Sequence, residues 1–135
     1  MTNQAMKPSD FDWVTARAQC SPLSMCAQLK ADIEKNVESM RSLSKARGSE
    51  IPIAAFDNGQ SFGVSRRTYV GEIGVIFTLR NEEIRVSSKE VKVDFVATLT
   101  LSDDGECRLL VDGKELDRWQ VLRRALEPLF FVAEP

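Results

Sequence analysis

The stretch Ile73-Gly74-Val75-Ile76-Phe77-Thr78-Leu79-Arg80-Asn81-Glu82-Glu83-Ile84-Arg85-Val86-Ser87 decides the fold. Apolar residues recur at every second position on both sides of Asn81-Glu82, which is the period of a half-buried strand and not of a helix. A two-residue turn there sets Leu79 against Ile84 and Phe77 against Val86, all on one face. Working outward, a turn at Ser88-Lys89 predicts Val86 opposite Val91 and Ile84 opposite Val93. A turn at Asp103-Asp104-Gly105 predicts Leu101 opposite Cys107, Leu99 opposite Leu109 and Ala97 opposite Val111. A slip of one residue would turn a whole strand inside out, so hairpins that agree on one apolar face specify an antiparallel meander.

Strands also precede and follow this centre. Ile51 to Phe56 reads as a strand whose Pro52 suits an edge, because proline cannot donate to a ladder. Asp57-Asn58-Gly59-Gln60 is a turn into Ser61–Arg67, and Val111-Asp112-Gly113-Lys114 turns into a short run ending at Leu116.

Helical signals flank the meander. Ser9 with Asp12 suggests a cap for a short helix through Phe11, Val14 and Ala18. Ser21-Pro22 is a second start signal, followed by Cys26, Leu29, Ile33, Val37, Met40 and Leu43 at steps of three or four. That is one apolar stripe on a helix of about six turns, stopping at Arg47-Gly48. Asp117 with Gln120 opens a last helix carrying Leu116, Trp119, Leu122, Leu126, Leu129 and Phe130, which Pro128 should kink or end. The expected architecture is α+β in two layers. A long N-terminal helix and a C-terminal helix cover one face of a roughly six-stranded antiparallel sheet, with residues 1–8 as a flexible tail and 9–135 as one domain.

Composition narrows the chemistry. With 135 residues, 43% hydrophobic and 28% charged, the chain has ordinary globular proportions. A net charge of −2 gives no general pull towards nucleic acid or anionic lipid. No apolar run approaches the length of a spanning helix, and the N-terminal residues have no apolar signal segment, so no membrane partner is expected. Histidine is absent, which removes Ser-His-Asp and Cys-His arrangements and the commonest neutral-pH base. No catalytic residue, cofactor or metal ligand is nominated, and the reading leans away from an enzyme. Asp103-Asp104-Gly105-Glu106 lacks the alternating ligands of a calcium loop. The scattered glutamates Glu72, Glu82, Glu83 and Glu90 do not form a carboxylate pair. Cys20, Cys26 and Cys107 are an odd number at no framework spacing, which fits free thiols in a reducing cytoplasm. Cys20, at a helix start, is the one thiol with a reason for a lowered pKa.

The remaining sheet face mixes both charge signs around a small apolar spot, as solvated faces do. Its Ile76, Val96, Thr98 and Leu110, with Arg85 and Arg108, form the expected interaction surface for an unidentified protein. Arg66, Arg67 and Tyr69 with the sheet cations suggest nucleic acid only weakly, because the central strands offer no aromatic for base stacking. The leading functional expectation is a cytoplasmic, non-enzymatic interaction or adaptor module, docking a partner on this face or along a sheet edge. The alternative is small-molecule binding in a cavity between the long helix and the sheet, near Phe77 and Phe95, where Ala54, Ala55, Ala97, Gly63 and Gly74 leave space. Trp13, Trp119 and Phe130-Phe131 are expected to pack in the core or at helix ends. A monomer and a homodimer both remain open: the run Leu129-Phe130-Phe131-Val132 needs cover, either from the chain's own helix near Trp13 and Val14 or from a second copy.

Overall fold

A computed structural model describes residues 10–69 and 71–131. Helix α1 (Trp13–Gln19) and helix α2 (Pro22–Ala46) are followed by strands β1 (Ile53–Asp57), β2 (Ser61–Thr68), β3 (Gly71–Arg80), β4 (Glu83–Ser88), β5 (Val93–Leu101), β6 (Cys107–Val111) and β7 (Lys114–Leu116). Helix α3 (Arg118–Phe130) completes the described chain. The strands form one antiparallel sheet in sequential order, seven rather than the six expected. The expected tail, the Ser9 cap and Val132 fall outside the described residues.

The long-range register agrees with the sequence at β3–β4, where Leu79 faces Ile84 and Phe77 faces Val86. It agrees again at β5–β6, where Leu101 faces Cys107 and Leu99 faces Leu109. Between β4 and β5 it does not: Val86 faces Phe95 and Ile84 faces Ala97. The connection is four residues, Lys89–Lys92, because the Ser88 hydroxyl accepts from the Glu90 and Val91 amides at 3.3 and 3.2 Å and holds a wider loop. The displacement is an even number of residues, so each side chain keeps its face.

Both long helices lie on that face. α2 packs over β1, β2 and β3, while α3 packs over β2, β3, β5 and β6 and touches α2. Leu29, Val64, Val75, Phe77, Val86, Ala97, Leu109, Val121 and Leu129 are fully buried between the layers. Phe62 stacks on Phe77 with ring centroids 5.1 Å apart, in the region where the alternative reading places a ligand cavity. Ala54, Gly63 and Gly74 cannot open such a cavity, since the strand alternation puts them on the opposite face from buried Ile53, Val64 and Val75.

Caps bound the helices as their sequences demand. The Asp12 side chain accepts from the Thr15 amide, and Ser21 from the Ser24 amide. Gln120 reaches back to the Asp117 amide at 2.8 Å. Gly48, at φ 78°, takes the left-handed position that ends α2. α3 continues only two residues beyond Pro128.

Two tertiary ties were not expected. Cys20 and Cys107 form a disulfide, joining the α1–α2 junction to the start of β6. The reading of three free thiols is therefore corrected: only Cys26 is free, and it is buried. Burial pushes the Cys26 thiol pKa up, against a smaller opposing effect of Lys30, so neither Cys20 nor Cys26 is an activated nucleophile.

Arg66, grouped in the sequence with exposed cations, instead lies buried on the core side. One of its terminal nitrogens donates to the Leu129 and Phe130 carbonyls at 3.0 and 2.8 Å. Those carbonyls lie in the last turn of α3, where no further helical amide can satisfy them and the helix dipole is negative. Arg66→Met keeps the stem and removes the donors. It is expected to cost about 2 kcal/mol and to speed amide exchange in the last turn of α3 before the rest of the helix. Unchanged protection there would refute the capping role.

Candidate functional site

The expected surface residues do share the uncovered sheet face. Arg85 neighbours Val96 across β4–β5, Thr98 neighbours Leu110 across β5–β6, and Ile76 on β3 is 41% exposed. Phe56 of β1 belongs to the same face and was missed. Its ring lies over Gly63, which in turn pairs with Ile76. The charged members are engaged within the chain. Arg85 pairs with Asp94 at 3.1 Å. Arg108 bridges Asp104 at 2.8 Å and Asp117 at 2.9 Å, and those carboxylates hold its guanidinium charged. Asp104 also accepts from the Glu106 amide, so this carboxylate serves the hairpin turn. Among the described residues no group of three or more His, Cys, Asp or Glu could hold a metal ion. No helix of the described residues is long and apolar enough to cross a membrane.

The sheet edges offer little to an added strand. At β1 the Ile53 carbonyl accepts from Nε and a terminal nitrogen of Arg41 at 3.1 and 2.7 Å, so α2 blocks part of that edge. At the other edge β7 is three residues long.

A larger concavity lies between the helices. A groove of about 810 Å³ runs along α2 from Asp32 to Leu43 and along α3 from Arg118 to its C-cap, Phe131. Its floor is apolar, with Met40, Leu122, Leu126 and Phe130 buried beneath it. Arg118 fixes one end by donating to Asp32 at 2.6 Å and Gln28 at 2.5 Å on α2. Three large apolar side chains on its walls stay in solvent: Leu43 is 55% exposed, Trp119 60% and Phe131 65%. Of the C-terminal aromatic pair, the chain therefore covers Phe130 and leaves Phe131 open. Trp13 and Val14 are also exposed and supply no cover, which corrects the expected packing of both tryptophans. The groove's charges largely cancel in pairs, Arg118 with Asp32, Arg123 with Glu127, and Arg108 with Asp117.

Helical spacing places Trp119 on the core stripe of the last helix, yet its side chain is mostly in solvent. The signal that could have corrected it is the spacing of Trp119, Arg123, Glu127 and Phe131, four residues apart on a face that also carries charge. No protein-family model, curated protein or solved structure matches this chain.

Proposed function

We propose that this chain is a non-enzymatic protein-interaction module that docks a partner in the α2–α3 groove. The observation that carries the reading is the exposure of Leu43, Trp119 and Phe131 around one apolar floor. Each would release ordered water on being covered, and aromatic side chains in a groove are the usual anchors of a docking surface. The internally paired charges suit a partner without strong net charge and disfavour nucleic acid. On the Ile76, Val96 and Leu110 surface only Ile76 is exposed, and the other two are half-buried, so it supports this role less well. Small-molecule binding is the second reading, because the groove volume falls within the range of ligand sites. The Cys20–Cys107 bond favours an oxidising compartment over the cytoplasm inferred from cysteine count.

A photo-crosslinking side chain placed at Ser39 in the groove tests the docking role, with one at Thr98 on the sheet as control. A protein adduct is expected from position 39 alone, and is expected to disappear in the Trp119→Ala, Phe131→Ala double variant. No protein adduct at position 39, or equal adducts at both positions, would overturn the reading.

A further inference from the structure

Beyond Arg118, which is tied to Asp32 and Gln28, the exposed groove residues of α3 and its C-cap are Trp119, Arg123, Glu127 and Phe131. They recur every fourth residue, so they form one continuous ridge, rising about 18 Å along the helix from first to last. In order the ridge reads aromatic, cation, anion, aromatic. This order has a symmetry property. A two-fold axis crossing the ridge midway between Arg123 and Glu127 sets Trp119 of one copy against Phe131 of the other. The same operation sets Arg123 against Glu127 and Glu127 against Arg123, as an isologous contact requires.

We propose that the occupant of the groove is a second copy of this chain, with the two α3 ridges antiparallel and each seated along the other's groove. The inference rests on reading the groove as a docking surface and names its partner. Charge complementarity selects the antiparallel arrangement, because parallel stacking in register would place Arg123 on Arg123 and Glu127 on Glu127. The Arg123–Glu127 pair within one chain, at 3.3 Å, is mostly in solvent, with side chains 65% and 54% exposed. Exchanging it for two cross-copy pairs gives up little, since exposed pairs contribute little. The apolar ends complete the fit. Trp119 of each copy would meet Phe131 of the other, and Leu43 lines the same groove on α2. These are the large apolar groups lining the groove that the single chain leaves uncovered.

Charge reversal tests this on the full chain, by sedimentation across a concentration series. The wild type is expected to double in mass as concentration rises. Arg123→Glu alone sets glutamate against Glu127 across the axis, and Glu127→Arg alone sets arginine against Arg123. Each is expected to raise the dissociation constant by about tenfold or more, leaving a monomer with an unchanged circular dichroism spectrum. Mixing the two variants restores both opposite-charge contacts and is expected to restore the doubled mass. A wild type that stays monomeric at its highest soluble concentration would overturn the dimer. So would either single reversal dimerising like the wild type, or a mixture that stays monomeric. A monomer that still crosslinks a different protein at position 39 removes the dimer and leaves the docking role; no adduct removes both.

Discussion

Gly63→Ala is expected to lower the stability of this protein by about 3 kcal/mol, which for a chain of this size is a fall in Tm of roughly 10 °C. A Cβ at position 63 would stand 2.0 Å from the Val75 carbonyl oxygen, far inside contact distance, and 3.2 Å from the Phe56 ring. The obstructing atom is backbone, in the strand paired with β2, so it cannot swing away as a flexible side chain would. Elsewhere in a strand, alanine in place of glycine gains about 0.5–1 kcal/mol from the restricted unfolded chain. Here the clash exceeds that gain, and the sign reverses. Gly74→Ala is the control: its nearest obstruction, the Val64 carbonyl, stands at 3.2 Å and need yield only a few tenths of an ångström. It is expected to stay within about 1 kcal/mol of the wild type. Thermal melts of the two variants side by side decide the matter, and equal melting temperatures would show that β2 and β3 separate freely at Gly63.

Reduction of Cys20–Cys107, or its replacement by two serines, is expected to cost a comparable amount. The cysteines lie 87 residues apart, so the bond spans α2 and strands β1 to β5. Closing a loop of that length removes chain entropy from the unfolded state worth about 4–5 kcal/mol at 25 °C. Strain and residual unfolded structure usually reduce the measured gain, so a loss of about 3–4 kcal/mol is expected. α1 has no buried residue, so this bond at its C-terminal end and the buried start of α2 are what tie the helix to the sheet side. The midpoint of urea unfolding, measured with and without dithiothreitol, reads the effect directly. Titration of the native protein should find one thiol on unfolding without reductant. Three reactive thiols under those conditions would refute the bond.

These two effects differ in how they could be read from the residues. The alternation of Ile73 to Leu79 and Ile84 to Val86 predicts the core face of the sheet, and the observed β3–β4 register agrees. The helix stripe Cys26, Leu29, Ile33, Val37 and Met40 is buried as its spacing implies, but Leu43, read as its last member, lies 55% exposed on the groove wall instead. Where reading failed, a local choice had several near-equal solutions. Ser88-Lys89 suits a tight turn, but the Ser88 hydroxyl stabilises a four-residue loop, and the hydrophobic pattern cannot distinguish registers that differ by an even number.

Local sequence thus determined the elements, their apolar faces and the α+β layering, because period, turn chemistry and capping act within a few residues along the chain. The tertiary structure alone decided the links between distant residues. Arg66 sits at an inward position of β2, yet nothing near it in sequence says that it will cap α3 some 63 residues later. Cys20 and Cys107 are likewise unremarkable singly and meet only because α2 and the meander return the chain to the same place. The α2–α3 groove has the same origin. Each helix has one buried stripe, but the space between helices, and which aromatic remains uncovered there, depends on how two separate elements lie over one twisted sheet.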